Sequence, residues 1–135
     1  MKVISEKLGR TTGVNVNGGD IKIIGRSCQF ALRIIKAARQ LPTTQEARIL
    51  GNQLLRSGTS FGANIEEAIG THSKPEFTHK MGIALKAARE THYWLRLLRD
   101  SETIKPVQIS AIITEAEEIK KFLGAIVRTA RRKNE

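Results

Sequence analysis

Intrachain disulfides are excluded at the outset, because the chain holds a single cysteine, Cys28. A lone thiol fits a reducing cytoplasm, which is the expected location. Aromatic residues are scarce, at 4% of the chain, so Leu, Ile, Val and Ala must supply most of the core. No apolar run approaches the ~18 residues that a membrane-spanning helix needs. The opening "MKVISEKLGR" has no apolar h-region and does not read as a signal peptide. Acidic residues are few as well: 13 Asp and Glu stand against 23 Lys and Arg. The formal net charge of +10 points to an anionic partner, with nucleic acid expected. The 135 residues suffice for one domain with its own core.

Residues 1–20 differ from the rest. "GRTTGVNVNGGD" is rich in Gly, Thr and Asn and reads as a tail or extended arm. From Ile21 to the end the pattern is helical. A first helix is expected over Ile21 to Gln40, with Ile24, Cys28, Ala31, Ile35 and Ala38 as its buried stripe and Pro42 as its stop. Cys28 is thereby expected to be a packed small hydrophobe. Thr43 and Glu46 form a capping box for a second helix, and Ser73 and Glu76, with Pro75 in the first turn, repeat the device for a third. A fourth begins near Pro106, with Ile109, Ile112, Ala116, Ile119, Leu123, Ile126 and Ala130 along one face. Four amphipathic helices joined by short connections predict an all-α fold, an antiparallel up-down four-helix bundle over residues 21–135.

"RSGTSFGAN", Arg56 to Asn64, looks like a linker or a phosphate loop. The apolar phase decides otherwise. Leu50, Leu54, Phe61, Ile65 and Ala68 stay in register across it, so the stretch belongs inside one helix from about Thr44 to Ile69. A Walker loop also needs a Gly-Lys pair that is missing here. Interior glycines cost about 1 kcal/mol each relative to alanine. Gly58 and Gly62, one turn apart, offset that cost if a neighbouring backbone comes close.

The candidate functional residues fall into three groups. Asn52, Arg56, Ser60, Asn64 and Glu67 recur at helical spacing as a polar stripe. The expected role is a hydrogen-bonded network at a helix or subunit contact, with Arg56 paired to Glu67 or Glu90, ahead of a ligand pocket. On the third helix Phe77, Met81, Ala84, Ala88, Leu95 and Leu98 form a core stripe, and Ile83, Trp94 and Leu97 widen it beyond one packing face. The surplus predicts an oligomer interface with Trp94 as anchor. The third group is basic. Lys22, Arg26, Arg33 and Lys36 lie on the first helix, Lys86, Arg89, Tyr93 and Arg96 on the third, and Arg128, Arg131, Arg132 and Lys133 at the end of the fourth. Such faces can follow a phosphate backbone, with Tyr93 stacking on a base.

Nothing points to catalysis or a metal. No nucleophile–base pair is evident. The three histidines have no zinc spacing, and the E-x-x-H of Glu76 to His79 has no second copy. Neither a cofactor nor an enzymatic activity is expected.

The segments "LLRSGTSFGANIEEAIG" and "ALKAARETHYWLRLLRD" resemble the bacterial four-helix bundle proteins encoded in intervening sequences of 23S ribosomal RNA genes. "FALRIIKAARQLP" and "SKPEFTHKMGIALK" fit the same family in the same order, from about Ile23 to the C-terminus. The resemblance implies a homopentameric ring, no established catalysis, and association with ribosomal RNA. Its signature positions here are Arg56, Ser57, Ser60, Asn64, Glu67, Glu90, Tyr93, Trp94 and Arg96. A similar fold and pentamer occur in the accessory variability determinant of diversity-generating retroelements. That likeness implies an alternative partner, a reverse transcriptase.

Overall fold

A computed structural model describes residues 18–134, with side chains from Lys22 to Arg132. It comprises four helices: α1 (Gly18–Arg39), α2 (Gln45–Ile69), α3 (Lys74–Asp100) and α4 (Pro106–Asn134). Each helix packs on its neighbours in sequence, and α1 also meets α4. Short connections and a closed ring of contacts make this an up-down four-helix bundle. The expected arm, up to residue 17, lies outside the described residues. The first helix begins at Gly18, earlier than the Ile21 expected.

The core is aliphatic, with two phenylalanines at its centre. Phe30 of α1 and Phe61 of α2 are almost fully buried, their ring centroids 5.6 Å apart and the planes tilted by 56°. Around them pack Leu54, Ile65, Leu95, Leu98, Ile109, Ile119 and Leu123, all essentially without solvent contact. The expected stripes of α2, α3 and α4 supply these side chains.

The stripe of α1 requires correction. Its buried face is Ile23, Ser27, Phe30 and Ile34, not Ile24, Cys28, Ala31, Ile35 and Ala38. Cys28 is exposed. Two apolar stripes overlap on this helix, one residue apart. Phe30 settles the choice, because it brings the most apolar area to the core. Ser27 rides inward with it, satisfied by donating its hydroxyl to the Ile23 carbonyl at 2.6 Å.

Helix ends follow local chemistry. Ser73 caps α3, its Oγ accepting from the Glu76 N–H at 3.2 Å, with Pro75 in the first turn. The cap of α2 falls one residue later than the expected Thr43 box: Thr44 Oγ1 accepts from the Ala47 N–H at 3.2 Å. Adjacent threonines left both registers open, and Glu46 becomes a first-turn carboxylate that favours the helix dipole. At the other end of α3, the Thr103 N–H donates to the Leu98 carbonyl and the Glu102 N–H to that of Arg99, each at 3.0 Å. This is a Schellman closure, in which Glu102 takes the left-handed position with φ 59°. Ile104, just beyond, packs against the core.

The "RSGTSFGAN" stretch is continuous helix within α2. Ser57 and Gly58 are buried. A Cβ placed on Gly58 would lie 2.9 Å from Ile34 Cγ2, and one on Gly62 would lie 3.5 Å from Ser27 Cβ. The glycines therefore form the seat on which α1 approaches α2 closely, as the unbroken apolar phase predicts.

Candidate nucleic-acid interface

The basic residues expected from sequence are not one surface. Bundle geometry sorts them into three grooves of different character.

Between α1 and α4 a groove of about 410 Å³ is lined by Lys22, Arg26, Arg33 and Glu115, among others. Its cations are partly spent. Arg26 donates from Nε to Glu115 at 3.0 Å and from Nη2 to Glu118 at 2.8 Å. One guanidinium held by two carboxylates offers little to a phosphate. Lys36 is exposed farther along α1 and does not line this groove.

Between α3 and α4 the balance is reversed. A groove of about 450 Å³ is lined by Arg89, His92, Arg96, Lys120, Lys121, Gly124 and Arg128. The antiparallel pairing of the two helices brings them together. Arg89, His92 and Arg96 follow at helical spacing on α3, and Lys120, Lys121 and Arg128 face them from α4. Among the described residues Arg89, Arg96 and Arg128 take part in no ion pair. Arg96 instead lies over the ring of Tyr93, 5.8 Å from its centroid. Tyr93 is 47% exposed and meets Trp94 edge-on at 5.0 Å. The groove thus has an aromatic beside its cationic wall, the pairing that suits sugar–phosphate and base together.

The surroundings of the histidine favour its neutral form. Burial lowers the His92 pKa below its ordinary 6.5, and neighbouring Lys120, Arg96 and Arg99 push the same way against the raising effect of Glu117. The carboxylate of Glu117 lies 2.9 Å from Lys120 Nζ, 3.1 Å from His92 Nε2 and 3.8 Å from Lys121 Nζ. The hydrogen bond from Lys120 leads the causes that hold its carboxyl below the usual 4.5.

A third groove of about 490 Å³ continues the α3–α4 seam. It is lined by His79, Gly82, Ile83, Lys86 and Arg131, among others. Arg132 is exposed close by in sequence, and the Lys133 side chain lies outside the described residues.

The polar stripe of α2 does not gather into the expected network within the chain. Arg56 donates to Gln53, not to Glu67 or Glu90. Glu67 pairs instead with Lys80 of α3 at 2.9 Å. Asn64 donates to the Ser60 carbonyl and hydroxyl, and Asn52 is exposed. The buried polar contact between α2 and α3 is one the stripe did not include. The hydroxyls of Ser57 and Thr91 are hydrogen-bonded at 3.0 Å, both residues at most 4% exposed. Of the interface group, Ile83, Trp94 and Leu97 are all half-buried in the single chain. Trp94 Nε1 is shut from solvent and has no acceptor among the described residues.

Lys120, Lys121, His92 and Glu117 were not singled out from sequence. Glu117 with lysines three and four residues on is an ion-pairing pattern visible on one helix. Its position opposite Arg89 and Arg96 depends on how α3 and α4 register. Among the described residues no three of His, Cys, Asp and Glu converge as metal ligands, and no helix is long and apolar enough to cross a membrane.

An all-α bundle whose α3–α4 seam gathers arginines and lysines defines the class: a helical protein with a polycationic face. The chain belongs to the 23S rRNA-intervening sequence protein family, whose profile matches residues 19–125. It is similar to a crystal structure of a protein of unknown function from the S23 ribosomal protein family of Bacteroides thetaiotaomicron. The two share 41% identity with a TM-score of 0.75, and the match covers 82% of this chain and 98% of that one. No curated protein sequence matches the chain.

Proposed function

We propose that this protein is a non-enzymatic, oligomeric nucleic-acid-associated protein, with ribosomal RNA as its target, that holds a phosphodiester backbone along the α3–α4 seam. One observation carries the reading: Arg89, Arg96 and Arg128 converge on one groove with no carboxylate partner among the described residues, joined by Lys120 and Lys121. Arginines left unpaired beside an exposed tyrosine suit phosphate and base contact. The family's link to intervening sequences of 23S rRNA supports RNA over DNA.

Such contacts position a backbone and read little sequence. A groove that neutralises about four phosphates of a duplex region gives a salt slope near −3.6, or about 150-fold weaker binding between 50 and 200 mM salt. Fluorescence polarisation on structured RNA across that range is the test. No binding at low salt, or binding indifferent to salt, would reject the proposal. Arg96→Ala should weaken all RNA sequences alike.

The assembly we propose is a homopentamer. Ile83, Trp94 and Leu97 on α3 stay half-buried in the single chain and Leu32 on α1 is 49% exposed, which leaves apolar surface for a partner subunit. Light scattering should give about five times the 15.0 kDa chain mass. A cytoplasmic location accords with an exposed free thiol at Cys28. An accessory role beside a reverse transcriptase would use the same basic faces, and co-purification of such an enzyme is the observation that would favour it.

A further inference from the structure

Glu117 does not line the α3–α4 groove, yet it holds three of the groups that do. Lys120, Lys121 and His92 all gather on its carboxylate, at 2.9, 3.8 and 3.1 Å. Its side chain is 35% exposed, and that of Lys121 is 74% exposed. These contacts are therefore made in partial contact with water and are individually weak. A carboxylate that accepts from Lys120 and lies near a second ammonium and an imidazole presents them with the same anionic oxygen chemistry as a phosphate.

The α1–α4 groove shows the opposite design. There Arg26 is taken by Glu115 and Glu118 together through its rigid guanidinium fork. In the α3–α4 groove a single carboxylate is shared among flexible lysine stems, while the arginines stay unpaired. Lysine ammonium groups turn readily from one acceptor to another.

We infer that Glu117 is the counter-ion of the empty groove, which a backbone phosphate displaces from Lys120, Lys121 and His92 when nucleic acid binds. The inference rests on the nucleic-acid reading above and adds a residue that opposes binding. Glu117 then sets a threshold: weakly charged ligands do not dislodge it, and a polyanion does. Its lowered pKa keeps it ionised throughout the neutral range, so the competition is always present.

Glu117→Gln removes the charge and keeps the shape. Polarisation of a fluorescein-labelled RNA hairpin at about 0.15 M salt should show binding about threefold to fivefold tighter than wild type, the size of one or two exposed ion pairs. The salt slope should steepen by about one. Lys120→Ala in the Glu117→Gln background should cancel the gain. Glu118→Gln is the control for a general loss of negative charge, because Glu118 faces Arg26 in the other groove. It should leave affinity unchanged at salt where the Debye length is about 8 Å.

Equal or weaker binding by Glu117→Gln would mean that the carboxylate positions the lysines, and would overturn this inference while leaving the nucleic-acid reading intact. An equal gain from Glu118→Gln would overturn it too. Absence of binding by every protein would overturn the nucleic-acid reading and this inference with it.

Discussion

Replacing Gly58 by alanine adds one methyl group at the point where α1 sits closest to α2. That methyl would lie 2.9 Å from Ile34 Cγ2 and 3.2 Å from Ile34 Cγ1. Ile34 is fully buried, and a β-branched side chain in a helix has essentially one χ1 rotamer. It cannot swing away, so α1 must shift. Overpacking of this kind costs about 1–3 kcal/mol. Alanine returns about 1 kcal/mol of helix propensity. The net is a loss of about 0–2 kcal/mol. Gly124 of α4 has nothing within 4 Å of a Cβ, so Gly124→Ala should keep the whole gain. For a chain of 135 residues, an unfolding entropy of about 2.1 cal/mol/K per residue makes 1 kcal/mol worth about 3–4 °C in Tm. The two variants should therefore differ by about 4–10 °C, by far-ultraviolet circular dichroism at one protein concentration. Gly51 sharpens the test. A Cβ there meets Leu41 Cδ1 at 2.8 Å, nominally closer, yet that atom ends a flexible, half-buried side chain. Gly51→Ala should be milder than Gly58→Ala. If Gly58→Ala melts as high as Gly124→Ala, or Gly51→Ala proves the worst, the stiffness of Ile34 is not what makes glycine necessary here.

Other expectations concern the polar contacts. Thr91→Val keeps the shape but strips the hydroxyl, leaving Ser57 with a long bond of 3.4 Å to the Leu54 carbonyl; urea unfolding should register a loss of about 1–2 kcal/mol. Adding Ser57→Ala should cost less than the two single changes summed, and strict additivity would show that the hydroxyls are not coupled. His92 gives a pH signature. Its folded pKa lies below 6.5, so between the two values the unfolded chain binds more protons. The stabilisation is complete above 6.5 and is lost as pH falls through that window. Wild type should lose Tm between about pH 7 and pH 5, and His92→Gln should lose less over the same range; identical slopes would remove His92 as the cause.

The bundle was legible because its periods are long and its punctuation clear. Pro42, the Ser73 cap and Pro106 mark breaks that the helices respect, and the apolar phase carried through Gly58 and Gly62 without a gap. What failed was the choice between adjacent registers. On α1 two stripes are both apolar, and only contact with Phe61 decides for Phe30. At the α2 cap two threonines stand side by side. The site was legible by halves. Arg89, Tyr93 and Arg96 share a face by spacing alone, whereas Lys120 and Lys121 reach them through antiparallel packing, which no spacing within a helix contains. The ion pairs of Arg26 were hidden for the same reason, since Glu115 and Glu118 lie on a different helix.

The unsatisfied indole of Trp94 has an optical consequence. The chain has one tryptophan and one tyrosine, and they are neighbours with rings 5.0 Å apart. Light absorbed by Tyr93 passes to Trp94 with little loss at that range. An indole with no hydrogen bond at Nε1 emits toward the blue. Arg96 lies over the donor ring, on the wall of the groove. The unlabelled protein therefore carries its own fluorescent pair at the lip of the seam, and anything that draws Arg96 away from Tyr93 should register as a change in that emission.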